Sequence, residues 1–190
     1  AFNDRSQHSL LIYDLQDPLE PQLVGSALND CHDLQVVSYA NGRDYAFVAS
    51  GHRRSLDILD VTNKTTPQLV RTTSYPDARY SHQVWLDAEH QYAYLNDEMY
   101  NGWKLVSHII IFDVSDPSNA SYLKRYSNNE YSNTHNLVVQ GDVIFQANYL
   151  SGLRVFDISR RVSPYEIAYF DTDSRRSFDF AGAWGVYAFD

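Results

Sequence analysis

The stretch Gly152-Leu-Arg-Val-Phe-Asp157-Ile is the last of four copies of one phrase, a short apolar strand that ends in aspartate. The earlier copies are Ser9-Leu-Leu-Ile-Tyr-Asp14-Leu, Ser55-Leu-Asp-Ile-Leu-Asp60-Val and His108-Ile-Ile-Ile-Phe-Asp113-Val. Their aspartates lie 46, 53 and 44 residues apart. A period of about forty to fifty residues built from short strands is typical of a radial array of small sheets, because one such unit cannot bury both of its faces alone. The repeat therefore predicts an all-β chain organised as a β-propeller.

Each repeat predicts one blade of four antiparallel strands. In the third repeat the turn Gly141-Asp142 supplies the positive φ that a tight hairpin needs. The strand runs are rich in β-branched and aromatic residues, and no helical period competes with them. The predicted strands are 32–38, 45–50, 55–61 and 68–73 in the first complete blade, 82–86, 92–95, 108–114 and 121–126 in the second, and 134–139, 143–148, 153–158 and 165–170 in the third.

The two ends of the chain predict partial blades. The chain enters directly on a third strand near Ser9, and residues 183–187 resemble a first strand with nothing after it. Either a four-bladed ring closes with a blade shared between the ends, or the chain is a partial ring of three full blades plus two partial ones. We favour the partial ring, because the shared blade would lack most of its second strand and leave unpaired edges. We predict a single propeller domain, or a fragment of one, over residues 1–190.

Aspartate and proline mark the link between the third and fourth strands. Asp17-Pro18 and Asp116-Pro117 stand there, where aspartate can bond its own backbone and proline presets φ. These pairs predict turns. A calcium site at Asp113 and Asp116 is the alternative that we weigh less.

Composition excludes several classes of protein. The net charge of −9 argues against a nucleic-acid groove, which needs a basic footprint. No apolar run approaches the ~20 residues that span a bilayer. The one cysteine, Cys31, allows no intrachain disulfide, and we interpret it as a partly buried inert thiol rather than a nucleophile.

With the repeats laid out, the chain resembles a known family, the LVIVD-repeat proteins, and specifically those called choice-of-anchor B. The stretches that carry the resemblance include Cys31-His-Asp-Leu-Gln-Val-Val, Tyr80-Ser-His-Gln-Val-Trp-Leu, Thr134-His-Asn-Leu-Val-Val, Gln146-Ala-Asn-Tyr-Leu-Ser-Gly-Leu-Arg-Val-Phe-Asp-Ile-Ser and Gly182-Ala-Trp-Gly-Val-Tyr. The resemblance implies a β-propeller exported to the cell surface, the extracellular space or the periplasm. It implies fold and location rather than chemistry.

Three histidines occupy equivalent places in the repeats, since each opens the first strand of a predicted blade. In propellers resembling this one that strand lines the central channel, so equivalent positions meet near the axis. The ends of the second strands should emerge on the same polar face, where a ligand would sit. The predicted ligand-binding residues are His32, His82, His135, Asp97, Glu98, Gln146, Asn148 and Trp184.

The repeated histidines leave three interpretations open. Each imidazole can bond the backbone of a neighbouring blade and close the neck of the channel. His32, His82 and His135 can together hold a divalent metal ion, since neutral histidine is the commonest metal ligand. A histidine beside Asp97 or Glu98 can also serve in acid–base catalysis.

Two classes of function follow from these interpretations. The first is a binding or scaffolding module that presents its loops to other protein chains or to an extracellular polymer. The second is a metal-assisted or histidine-dependent enzyme acting on an extracellular substrate such as polysaccharide.

Overall fold

The computed structural model describes residues 10–27, 30–99, 106–174 and 180–189 of the chain. Within these ranges the only helix is a 3₁₀ turn at Pro117–Asn119. No helix among the described residues is long and apolar enough to cross a bilayer. The strands are β1 (Leu10–Asp14), β2 (Gln22–Ala27), β3 (Asp33–Ser38), β4 (Asp44–Ser50), β5 (Ser55–Asp60), β6 (Gln68–Ser74), β7 (Ser81–Leu86), β8 (Tyr92–Asp97), β9 (His108–Asp113), β10 (Ser121–Ser127), β11 (Asn136–Gln140), β12 (Val143–Ala147), β13 (Leu153–Asp157) and β14 (Tyr165–Phe170).

The strands form three complete blades, each an antiparallel meander in the order β3-β4-β5-β6, β7-β8-β9-β10 and β11-β12-β13-β14. The predicted strands are all present, with ends that differ by no more than two residues. The first strands β3, β7 and β11 lie next to one another along the series. The predicted all-β architecture of four-stranded blades is therefore confirmed.

Partial blades flank the complete ones. Strands β1 and β2 pair as a two-stranded sheet, as expected for a third and a fourth strand. At the other end Ala183 forms an isolated antiparallel bridge with Tyr149, and residues 184–189 pair with no strand in the described part of the chain. The sheets do not close on one another, in agreement with a partial ring. The prediction for residues 1–8 lies outside the described residues.

The hydrophobic core is divided into layers that lie between successive sheets. One cluster joins the first and second complete blades and contains Phe47, Leu95 and Phe112. A second joins the second and third blades, and a third packs the β1–β2 sheet against the first complete blade. Each blade is thus buried by its neighbours, which is the packing that the repeat period requires.

The repeated aspartates stabilise the turns that follow the third strands. The Asp14, Asp60, Asp113 and Asp157 carboxylates each accept the N–H of the residue two positions on, at 2.7–3.0 Å. Asp116 bonds the N–H of Ser118 in the same way at 3.0 Å. These bonds confirm the turn prediction and account for Asp113 and Asp116 without a bound calcium ion.

Candidate functional site

The three repeated histidines stack into a ladder at the start of the first strands. The ring centroids of His32 and His82 are 4.2 Å apart, and those of His82 and His135 are 4.1 Å apart. The indole of Trp184 continues the stack 4.6 Å beyond His135. The convergence that the repeats predict is therefore present in the structure.

Two members of the histidine ladder are tied to the backbone of the neighbouring segment. His32 Nδ1 donates to the carbonyl of His82 at 3.0 Å, and His135 Nδ1 donates to the carbonyl of Trp184. The buried Nδ1 of His82, between them, has no hydrogen-bond partner among the described residues. The backbone bonds that the first interpretation predicts are therefore present for His32 and His135.

These backbone bonds decide which nitrogen of the His32 and His135 rings carries the proton. A carbonyl oxygen can only accept, so Nδ1 must be the protonated nitrogen. In the neutral imidazole Nε2 is then left with a lone pair and no proton. Metal-binding histidines are commonly held in this way, with the nitrogen that does not bind the metal bonded to a backbone carbonyl.

Glu98 is the carboxylate that faces the ladder. Its Oε2 lies 3.6 Å from His82 Nε2, and its Oε1 lies 3.8 Å from His135 Nε2. The hydroxyl of Tyr149 donates to Oε1. The lone pair of His135 Nε2 and the Nε2 of His82 therefore lie beside a carboxylate that itself offers only lone pairs, and a cation placed between the three groups would bind all of them.

A proton on the imidazoles is a poor candidate for that cation. Burial, together with the neighbouring His32 and His135, lowers the pKa of His82 from 6.5 to about 2. Burial also lowers the pKa of His135. Both rings are consequently neutral near pH 7, the state in which imidazole binds metal ions.

The spacing of the donor atoms suits a metal ion. The donors of His82, Glu98 and His135 lie within 4.8 Å of one another. A tetrahedral ion with ligand distances of ~2.0–2.2 Å places its donors ~3.3–3.6 Å apart, close to the two histidine–glutamate distances. His32, which we predicted as a third histidine ligand, is not part of this donor group; its third member is Glu98.

Asp97 does not face the ladder, although we predicted it beside Glu98. Its Oδ2 accepts from the Tyr75 hydroxyl at 2.9 Å and from the N–H of Arg79 at 2.6 Å, and its Oδ1 accepts from the N–H of Tyr80 at 2.9 Å. Asp97 is the last residue of β8 and Glu98 lies beyond the end of that strand, and the two carboxylates contact different partners. Asp97 therefore holds the loop before β7.

Gln146 and Asn148 are fully buried between the second and third blades. Gln146 donates to the Asn96 side chain at 2.7 Å, and Asn148 donates to Ser107 Oγ at 2.7 Å and to Gln146 Oε1 at 3.0 Å. Asn96 in turn donates to the carbonyl of His135 at 3.0 Å. This network reaches the histidine ladder through the bond from Asn96 to the His135 backbone. Gln146 and Asn148 themselves bond other side chains of the network rather than the donor atoms of His82, Glu98 and His135.

Aromatic side chains lie beside the histidines, and Trp184 is the one among them that we predicted as a site residue. Trp184 stacks on His135 with 59% of its surface exposed, and Tyr149 packs on the same ring at 4.8 Å. Tyr80 lies edge-on to His32 at 5.1 Å, and burial with nearby Asp30 and Glu98 raises the pKa of Tyr80 to about 12. Asn96 and Tyr149 also contact site residues and were not predicted. No feature of the sequence distinguishes Tyr149 as a site residue.

We expect the metal-free protein to lose stability as the pH falls from 7 to 5. The folded protein keeps His82 neutral down to a pKa of about 2, whereas the unfolded chain binds a proton near pH 6.5. Below pH 6.5 this difference favours unfolding by up to ~1.4 kcal/mol per pH unit. Urea unfolding in EDTA should show a shallower pH dependence for His82→Gln, and the native dependence for a control at the exposed ring, His52→Gln. An identical slope in both variants would contradict the assignment.

The comparison with protein families identifies the repeat. The model described as LVIVD repeat matches residues 42–74 and 103–128. The first stretch covers β4, β5 and β6, and the second covers β9 and β10, so the chain carries LVIVD repeats, as its sequence predicted. A comparison with curated proteins found no match.

Solved structures share the architecture at low identity. The periplasmic gluconolactonase PpgL of Pseudomonas aeruginosa matches 88% of this chain and 52% of its own, with a TM-score of 0.66 and 12% identity. Hydrazine synthase of Kuenenia stuttgartiensis matches 90% and 50%, with a TM-score of 0.65 and 12% identity. The β-propeller domain of Cps50 (Swd1) from Myceliophteria thermophila matches 86% and 53%, with a TM-score of 0.56 and 11% identity. The fold is a β-propeller, and the chain spans about half the length of the solved chains it matches.

Proposed function

We propose that this LVIVD-repeat chain is a binding module that holds a divalent transition-metal ion between His82, Glu98 and His135. The observation that carries the proposal is the meeting of three donor groups: Nε2 of His82, Nε2 of His135 and the Glu98 carboxylate. The other ring nitrogen of His135 is bonded to a backbone carbonyl, which leaves its Nε2 free to bind a metal ion. Two nitrogen donors and one oxygen donor suit zinc and its first-row neighbours better than calcium or magnesium, which prefer oxygen alone.

The proposed location is the cell surface, the extracellular space or the periplasm, and the proposed partners are other protein chains or an extracellular polymer. The family resemblance supports the location. Rigid blades with loops on one face support the partners, since such faces are where repeat proteins present binding surfaces. Fractionation of the source cells followed by immunodetection tests the location, and recovery of the protein only from the cytosol would contradict it.

A metal-assisted enzyme is the second candidate. Three protein donors leave a coordination position open, as in catalytic rather than structural zinc sites. Hydrolysis of a polysaccharide would ordinarily use two carboxyl groups that flank the scissile bond. Glu98 is the only carboxylate in the metal-binding group found among the described residues, and Asp97 is turned away from it. In such an enzyme His82, Glu98 and His135 would hold the ion, and the ion would supply an activated water molecule in place of the two-carboxylate route.

We expect the purified protein to bind one equivalent of Zn²⁺ or Co²⁺ after dialysis against EDTA. Isothermal titration gives the stoichiometry and Kd, and Glu98→Gln should weaken binding at least tenfold, or ~1.4 kcal/mol. His52→Ala removes an exposed imidazole outside the site and is the matched control. Binding with several weak equivalents, or with equal affinity in Glu98→Gln, would overturn the proposal. An assay of the same samples for metal-dependent ester hydrolysis distinguishes the two candidate functions, because only an enzyme would show activity that is lost with the metal.

A further inference from the structure

Tyr149 has a backbone conformation that needs an explanation. It is almost fully buried, and its φ of 44° lies in the left-handed region. A bulky residue with positive φ is uncommon and strained, so the surrounding structure must hold it there. The conformation places the hydroxyl of Tyr149 on Glu98 Oε1 and its ring on His135.

The segment 180–184, which we call the strap, holds Tyr149 in place. Tyr149 and Ala183 exchange two backbone hydrogen bonds of 2.9 Å, and the ring of Phe180 packs edge-on against Tyr149 at 5.2 Å. Gly182 has a φ of 92°, and a Cβ at this position would lie 2.3 Å from the carbonyl oxygen of Tyr149. Only glycine allows the strap to approach so closely.

The strap also determines the state of His135. The carbonyl of Trp184 accepts from His135 Nδ1, and the Asn136 side chain donates to the same oxygen at 3.1 Å. Without this acceptor Nδ1 would have no reason to keep the proton, and the lone pair would no longer be confined to Nε2. Two of the three donor groups therefore depend on a segment that lies more than thirty residues further along the chain.

We propose that the strap and Tyr149 are positioning elements of the metal site: Tyr149 orients the Glu98 carboxylate, and the Trp184 carbonyl fixes the His135 tautomer. The inference rests on the proposed function. Packing alone does not explain the arrangement, because both polar contacts end on groups that carry metal donors, and because the Trp184 ring remains 59% exposed. Neighbours of this kind typically change metal affinity 10–100-fold when they are lost.

The first test is Tyr149→Phe, which removes the hydroxyl and keeps the ring on His135. We expect Kd for Co²⁺ to rise 10–100-fold in the full chain, with a thermal midpoint close to that of the native protein. The visible spectrum of bound Co²⁺ should also change, since the carboxylate is no longer held in one orientation. A purely structural tyrosine would leave the spectrum unchanged.

The second test is Gly182→Ala, with Gly42→Ala as the matched control. Gly42 also has a positive φ, 77°, but a Cβ there would meet nothing within 4 Å. Both variants carry the same backbone penalty, and only Gly182→Ala pushes the strap away from Tyr149. We expect weaker Co²⁺ binding and a changed spectrum for Gly182→Ala alone.

The outcomes separate the two proposals. If the native protein binds no Co²⁺, the proposed function fails. If the native protein binds Co²⁺ and both Tyr149→Phe and Gly182→Ala keep the native Kd and spectrum, the positioning role of the strap is overturned. If Gly182→Ala does not fold, Tyr149→Phe decides.

Discussion

A chain in which His82 and His135 are both replaced by alanine should no longer bind Zn²⁺ or Co²⁺ at concentrations that saturate the native chain. The substitution removes both nitrogen donors and leaves Glu98 with no partner donor in the group. We expect a loss of at least a thousandfold in affinity, or ~4 kcal/mol. Neither histidine belongs to the three hydrophobic clusters of the described residues, so the propeller should remain folded.

Titration calorimetry and circular dichroism on the same samples check this result. The control is a second double variant, His52→Ala with His90→Ala, which removes two imidazoles outside the donor group. It should bind one equivalent with the native Kd. Native affinity in the His82/His135 variant would exclude the site, and loss of binding in the control would show that the ion is held elsewhere.

Replacement of Phe112 by alanine should destabilise the protein by ~3–5 kcal/mol, the usual cost of emptying a buried phenylalanine site. Phe112 is completely buried in the cluster between the first and second complete blades, where its ring lies edge-on to Tyr75 at 5.9 Å. Phe170→Ala is the matched control, because Phe170 is 68% exposed on an outer strand. Its effect should stay within ~0.5 kcal/mol.

Urea unfolding followed by tryptophan fluorescence measures both Phe112→Ala and Phe170→Ala. Because the core lies between blades, Phe112→Ala should lower the midpoint of one common transition rather than release a single blade. A change below about 1 kcal/mol for Phe112→Ala would mean that successive blades do not depend on this layer.

The fold could be predicted from the sequence because its signals are local. The aspartate that ends each third strand bonds a backbone N–H two residues away, so the turn is encoded within a few positions. The period of the repeats then fixes how many strands form a blade. The meeting of the histidines also followed from the repeats, since equivalent positions of stacked units lie side by side.

The residues of the site could not be predicted as fully, because they depend on where each strand ends and on contacts between segments that are distant in sequence. We grouped Asp97 with Glu98, yet Asp97 ends β8 and bonds the loop before β7, whereas Glu98 lies beyond the strand end beside the histidines. A β-bulge at His82 shifts the pairing of β7 with β8 between Ser81 and Gln83. No pattern in the sequence predicts this bulge. The contact of Tyr149 with Glu98 joins positions 51 apart, which only the packed blades bring together.

The acceptors for the imidazoles of His32 and His135 belong to the main chain, and every residue type provides one. The identity of the residue that follows the last histidine is consequently free to vary, and Trp184 serves there as well as a fourth histidine would. A repeat inserted in phase would add one imidazole to the series and a main-chain carbonyl beside the one before it. The number of nitrogen donors is in this sense a modular property, adjustable by duplication rather than by coordinated substitution.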